Sequence, residues 1–157
     1  MVPAGMKDFD EIGARIDAIL VASDAALAVS AAAHADELLS LGEAILEAWV
    51  AARGEAPTEI KVEGFRLLAL HRQGAHGEPS FNACRETCRE LVYHHNLVRL
   101  DTAHVDVARR LRLGAMVARH LMLFVGGKLE VAGLGEFCCS AKPLRLQEAR
   151  AQTTETV

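Results

Sequence analysis

The richest chemistry in the sequence lies between Cys84 and His95, in the stretch CRETCRELVYHH. Two cysteines, two glutamates, two arginines and two histidines occur within these twelve residues. Thiolate, imidazole and carboxylate groups bind zinc or iron, and an activated thiol supports redox chemistry. Three interpretations follow: a metal site, a thiol-based redox site, or an amphipathic helix in which the cysteines only fill space.

Helical spacing favours the third interpretation. A helix turns by about 100° per residue, so the residues of one face recur every three or four positions. The charged residues and His94 then fall on the opposite side from the apolar face. Free cysteine packs as a small hydrophobe, so the two thiols are predicted to be buried and unreactive. The residues that share the apolar face are Phe81, Cys84, Cys88, Leu91 and His95.

The alternative function is that of a metal-binding or thiol redox protein, with zinc or iron as its cofactor. Along one helix Cys84 and His95 are separated by about 16 Å, so a single ion cannot bind both. Ligands would come as i,i+4 pairs and would need completion from elsewhere in the chain. The vicinal Cys138-Cys139 pair departs from the usual C-x2-C spacing, which weakens this hypothesis. The candidate metal ligands are Cys84, Cys88, Glu90, His94, His95, Cys138 and Cys139.

A second candidate site is the pair Arg119-His120, which interrupts an apolar run from Ala115 to Val125. A helix that is apolar on every side lies in the core or at an oligomer interface. A guanidinium cannot be neutralised there, so it needs a counter-charge. One alternative is a structural salt bridge. The other is a ligand-binding pocket in which Arg119 and His120 hold a small acidic molecule.

The arginine-rich helix from Arg109 to Arg119 suggests a third function, a nucleic-acid-binding regulator. Its pattern loosely resembles a helix-turn-helix, but Gly114 is poorly placed for the short turn. The net charge of −4 is also atypical of nucleic-acid-binding domains. Nucleic acid is therefore not the expected partner.

The sequence contains no phosphate-binding loop, no dinucleotide fingerprint, no G-x-S-x-G and no H-E-x-x-H. Enzymatic activity thus has little support, although a cysteine paired with a histidine from another element would make a nucleophile. The favoured function is a non-catalytic regulatory or small-ligand-binding module, for which no cofactor is expected.

Composition and periodicity predict a mainly α-helical fold. The chain is 51% hydrophobic but only 4% aromatic, so its core must consist of Ala, Leu, Val and Met. Such a core suits a bundle of four or five helices in a single domain, residues 1–143, followed by a frayed tail, 144–157. Apolar spacing indicates helices over 7–20 and 36–53, a third from Thr58 to about Arg72, a fourth from Ser80 and a fifth from Asp101 or Thr102.

Two segments each fit two alternative secondary structures. The alanine-rich link 23–34 suits either a helix or a turn around Ser23-Asp24. Residues 121–131 either extend the fifth helix or form a small C-terminal β-hairpin around Gly126-Gly127.

The expected environment is the cytoplasm. No apolar run reaches the ~18 residues that a membrane span needs, and the acidic N-terminal region does not resemble an export signal. The cysteines are then expected to be reduced. Helices that are apolar on every side leave surface to be covered, which favours a homodimer.

Overall fold

The computed structural model describes residues 8–133, and within this part the chain forms six α-helices. A 3-10 helix, Pro79–Cys84, leads directly into the fifth of them. The predicted helical bundle is confirmed, with six helices in place of four or five because the alanine-rich link adds a short helix. The helices are α1 Phe9–Val21, α2 Asp24–Val29, α3 Ala31–Ala52, α4 Arg66–Ala75, α5 Arg85–Leu100 and α6 Val107–Val131.

Side-chain caps start the first two helices. The Asp8 carboxylate accepts a hydrogen bond from the backbone N–H of Glu11 at 2.8 Å. The Ser23 hydroxyl oxygen accepts one from the N–H of Ala26 at 3.1 Å. Such caps satisfy N–H groups that have no partner within the helix and contribute about 1 kcal/mol each. The link 23–34 is therefore mainly helical, with a turn before the Ser23 cap and a break at Ser30 between α2 and α3.

The core lies where α3, α5 and α6 pack on one another, with α1 against α6 and α4 against α3. Gly42 permits the close approach of α3 and α5, because a Cβ atom there would lie 2.5 Å from Cδ2 of Leu91. The largest fully buried side chains include Ile12, Ile16, Leu41, Ile45, Leu70, Phe81, Leu91 and Leu111.

The alternative of a β-hairpin near 121–131 is wrong, because α6 continues unbroken to Val131. Leu121, Val125 and Leu129 recur every four residues and are all buried. The next residues, Gly126 and Glu130, are buried as well. A strand would turn such neighbours to opposite faces, whereas a helix keeps them on one broad buried face. Packing against the bundle overrides the turn preference of Gly126-Gly127.

The prediction of a third helix from Thr58 is also wrong, because α4 begins only at Arg66. The segment before it is tied to α4 by side chains. The N–H of Thr58 donates to Oε1 of Gln73 at 2.9 Å, and Nε of Arg66 donates to the Thr58 carbonyl at 2.8 Å. Thr58 thus serves as a docking point for an irregular segment and not as a helix cap.

A tight turn joins this segment to α4. Val62 and Phe65 exchange both backbone hydrogen bonds, at 3.0 and 2.9 Å. The two residues between them, Glu63 and Gly64, have φ values of 53° and 86°. This is the geometry of a type I′ turn, in which both central residues are left-handed. The turn projects Glu63 towards α5.

Within residues 8–133, none of the helices is both long enough and apolar enough to cross a membrane. The predicted tail 144–157 and the pair Cys138-Cys139 lie outside the described residues.

Candidate anion-binding site

The prediction that Cys84 and Cys88 face the core is confirmed. Cys84 is 1% exposed and Cys88 is fully buried, and neither forms a disulfide. The Cys84 thiol donates a hydrogen bond to the carbonyl oxygen of Phe81 at 3.3 Å. These contacts are those of packed small side chains.

The two thiols also affect each other's ionisation. A hydrogen bond from Cys88 lowers the pKa of Cys84 to about 6, with His71 acting in the same direction and burial opposing them. The hydrogen bond with Cys84, reinforced by burial, raises the pKa of Cys88 far above its ordinary value. A reactive cysteine combines a low pKa with access to solvent. Because neither sulfur reaches solvent, the pair lacks the second requirement.

Phe81, whose carbonyl accepts from Cys84, belongs to a cluster of stacked rings. The ring of Phe81 stacks on Trp49 at a centroid distance of 5.0 Å and on His71 at 5.5 Å. Nε2 of His71 lies 3.1 Å from the carbonyl oxygen of Phe81, the same oxygen that accepts from Cys84. His71 is therefore held in place from the core side, and its other edge reaches a cavity.

That cavity has a volume of about 280 Å³ and lies between α4 and the start of α5. Its apolar part comes from Val62, Leu68 and Ala75, and Asn82 adds an amide. In the described part of the chain, no acidic residue lines it. The basic residues that line it are His71, Arg72, His76, Arg85 and Arg89.

The carboxylate that pairs directly with the arginines of this cavity is Glu63, and Glu86 acts on Arg89 only through its charge. Nη2 of Arg89 donates to Oε2 of Glu63 at 2.7 Å. The pKa of Glu63 is lowered mainly by this hydrogen bond and charge, with smaller effects from Arg85 and Arg72. Between residues 8 and 133, neither Arg72 nor Arg85 forms an ion pair. Of the three guanidinium groups, only that of Arg89 is held in an ion pair in the described range, so Arg72 and Arg85 keep charges that no direct partner there neutralises.

A second cavity, of about 210 Å³, adjoins the first and shares Leu68 and Arg89 with it. Glu63 lines this second cavity, together with Phe65, Val92 and Asn96. Arg89 thus stands on the boundary between the two spaces, with Glu63 bound to it from one side.

The side chains of Arg119 and His120 lie in different surroundings. The Arg119 guanidinium donates to the carboxylate of Asp17 on α1, which is the structural salt bridge weighed as one alternative. His120 lines a separate groove of about 430 Å³ between α5 and α6, with Glu90 and His94. Among the described residues, no lysine or arginine lines that groove, so it offers no permanent cation to an acidic ligand.

The candidate metal ligands are spread over several environments. Nε2 of His95 lies 2.9 Å from Oδ1 of Asp36. Nδ1 of His94 is buried without a hydrogen-bond partner, and Glu90 borders the groove. Over residues 8–133, no three His, Cys, Asp or Glu side chains come together as a metal site. The contribution of Cys138 and Cys139 falls outside the described residues.

The arginines expected on a nucleic-acid-binding helix are largely engaged within the protein. Arg110 Nη2 lies 3.2 Å from Nε2 of His104, and Arg112 Nη2 donates to the Asp24 carboxylate at 2.6 Å. Together with the Arg119–Asp17 pair, these contacts leave Arg109 as the arginine of this set without such a bond in the described range. A phosphate-binding helix needs its cations available.

Sequence reasoning missed His71, Arg72, Arg85 and Arg89 as a set. The available signal was the i,i+4 spacing of Arg85 and Arg89, a like-charge row that is unfavourable unless an anion is near. The contribution of α4 could not be read from the sequence, because it depends on how two helices pack. No family model, curated protein or solved structure matches the chain at a significant level.

Proposed function

We propose that the protein is a non-catalytic module that binds a small phosphate-bearing anion in the cavity between α4 and α5. One observation carries this proposal: five basic side chains and no acidic ones line the cavity within the described part of the chain. Guanidinium groups bind phosphate through paired, charge-assisted hydrogen bonds, and clustered cations attract anions over a longer range.

The balance of charge favours a phosphate over a single carboxylate. Glu63 neutralises one of the three arginines. The remaining two, Arg72 and Arg85, match the two negative charges of a phosphate ester near neutral pH. The volume of about 280 Å³ is at the lower end of small-molecule sites. The ligand is therefore a compact anion with little organic bulk inside this cavity.

The same lining argues for binding and against catalysis. Catalysis would need a nucleophile or general base within reach of the ligand. Of the two histidines in the lining, His71 already has Nε2 bonded to the carbonyl of Phe81. Cys84 is not part of the cavity lining and is 1% exposed. The available groups are mainly permanent cations, which position an anion without accepting protons.

Isothermal titration calorimetry at low salt, with inorganic phosphate and pyrophosphate as probes, tests the proposal. Hydrogen bonds to charged groups contribute about 1.5–3 kcal/mol, so Arg85→Gln and Arg72→Gln should each weaken pyrophosphate binding by roughly ten-fold or more. Arg109→Gln is the matched control, since it removes the same charge from an exposed position on α6. The proposal fails if the wild-type protein binds neither probe, or if Arg85→Gln and Arg109→Gln behave alike.

The dimer expected from the sequence is a second proposal, and exposed apolar side chains on α6 support it. Leu113, Met116 and Leu123 lie on one face of this helix and are 39%, 56% and 45% exposed. Burial of such a stripe against a second copy would remove apolar surface from water. Sedimentation velocity on the wild type and on Met116→Asp tests this, since a dimer that uses this face should dissociate in the variant.

A further inference from the structure

We propose that Glu63 is a built-in competitor for the anion site: its carboxylate occupies Arg89 in the free protein and leaves it when a phosphate-bearing ligand binds. This inference rests on the proposed function and adds a mode of regulation to the same cavity.

The position of Glu63 is that of a competing anion. Its Oε2 lies 2.7 Å from Nη2 of Arg89, and Arg89 lines both adjoining cavities. Glu63 itself lines only the second cavity, so it holds the shared arginine from the side while the first cavity stays open. A ligand that reaches Arg89 from the first cavity must share that guanidinium with Glu63 or replace it.

The backbone of Glu63 is in a conformation that is unusual for a residue of its type. Its φ of 53° is left-handed, a region that side chains with a Cβ rarely adopt. Glycine or asparagine is usual at this position of a type I′ turn. Disfavoured backbone conformations persist where other contacts support them, and they concentrate at binding sites. Here the backbone hydrogen bonds of Val62 and Phe65 hold the turn, and the side chain that the turn presents pairs with a residue of the proposed site.

The surroundings of Glu63 leave it room to move. Its side chain is 59% exposed, and it stands at the tip of a turn closed by the backbone hydrogen bonds of Val62 and Phe65. The carboxylate can therefore turn towards solvent without opening those bonds or disturbing the core. No buried contact has to be broken.

Electrostatics determine whether the Glu63 charge weakens or strengthens phosphate binding. Arg89, Arg85 and Arg72 lower the pKa of Glu63, so its carboxylate is charged at neutral pH. A phosphate group beside it on the same arginine would be repelled, because like charges at ~4–6 Å disfavour each other. Removal of the Glu63 charge should thus strengthen phosphate binding. If Glu63 instead served to orient Arg89 for the ligand, its removal would weaken binding.

The test compares pyrophosphate affinity by calorimetry for the wild type, Glu63→Gln and the control Glu59→Gln. Glu59 lies on the same segment, is 86% exposed and pairs with Arg66 at 3.3 Å, outside both cavities. Both substitutions remove one negative charge. An exposed ion pair of this type contributes only a modest free energy. We therefore expect Glu63→Gln to bind pyrophosphate about two- to five-fold more tightly than Glu59→Gln. Glu63→Asn should do the same, since asparagine tolerates the left-handed turn.

The outcomes separate the two proposals. If the wild type binds pyrophosphate but Glu63→Gln and Glu63→Asn bind no more tightly than Glu59→Gln, competition by Glu63 is ruled out and the anion site survives. If neither the wild type nor any variant binds, the anion site and its regulation are both ruled out. Tighter binding by both Glu63 variants, with Glu59→Gln close to the wild type, supports the inference.

Discussion

The 3-10 helix and the first turns of α5 together present two faces that contrast in chemistry and in access. The inner face carries Cys84 and Cys88, the more reactive side chains, yet both are buried. The outer face carries Arg85 and Arg89, which are common surface residues, yet both line a cavity. The side chains with the greater intrinsic reactivity are therefore the ones that ligands cannot reach.

The difference shows that position in the fold decides which chemistry is usable. Thiols at the core interface of α5 contribute packing and share hydrogen bonds with Phe81 and His71. The arginines become a site only because α4 supplies His71 and Arg72 opposite them. Substitutions on the inner face should thus change stability, and those on the outer face should change binding.

The largest effect is expected from Phe81→Ala, at the centre of the inner face. Phe81 is fully buried and stacks on both Trp49 and His71. Loss of a buried phenyl ring costs about 3–5 kcal/mol, through lost burial and the cavity that remains. Urea unfolding followed by circular dichroism measures this. A loss below about 1 kcal/mol would mean that the inner face is not a packed core.

A smaller effect is expected from Cys88→Ser. Cys88 is fully buried, so the serine hydroxyl would be desolvated beside Cys84 with an imperfect partner. A poorly satisfied buried polar group costs about 1–3 kcal/mol. Chemical denaturation of Cys88→Ser, with Cys88→Ala as the apolar control, measures the difference. If a metal or redox role explained this residue, both variants would instead lose bound metal or thiol reactivity without a difference in stability between them.

Arg85→Gln should leave the free energy of unfolding within about 0.5 kcal/mol of the wild type, because exposed substitutions away from structural contacts rarely do more. Arg85 is exposed and forms no ion pair within residues 8–133. The same urea experiment used for Phe81→Ala provides the measurement. A destabilisation of about 2 kcal/mol or more would assign Arg85 a structural role and remove the contrast between the two faces.

The smallest expected effect is on the pH dependence of stability and comes from His94, which belongs to neither of these two faces. Burial lowers the pKa of His94, with Glu90 partly opposing it. The unfolded chain then takes up this proton more readily, so stability is full above the unfolded pKa of about 6.5 and falls as the pH drops through the folded value. His94→Gln should therefore lose less stability between pH 7 and pH 5 than the wild type. Urea midpoints at both pH values check this, and equal losses would contradict it.

The sequence predicted the helical elements well where apolar spacing was long and regular. Residues 7–20 correspond to α1, Phe9–Val21, and the burial of Phe81, Cys84, Cys88 and Leu91 was predicted correctly. His94, which was placed on the outer side, has its Nδ1 buried instead. The sequence left 121–131 open between a helix and a hairpin, and the structure shows the helix, where packing of α6 overrides the turn signal of Gly126-Gly127. It failed at Thr58, because the bonds that hold this segment come from Gln73 and Arg66, later in the chain.

The candidate site was harder to predict than the fold. The choice of Arg119 rested on its apolar neighbours, but the helix turns it outward to Asp17. The cavity lining combines residues from α4, the 3-10 helix and α5, so its charge depends on tertiary packing. The i,i+4 row of Arg85 and Arg89 was visible in the sequence, but without the neighbouring helix it looks like an ordinary solvated face.

The most direct test of the anion site is a crystal structure of the protein grown with excess pyrophosphate. We predict that pyrophosphate will lie in the cavity between α4 and α5, within hydrogen-bond distance of Arg72 and Arg85, with the Glu63 carboxylate turned away from Arg89. An empty cavity with Glu63 still bound to Arg89, or pyrophosphate bound only elsewhere on the surface, would contradict this account.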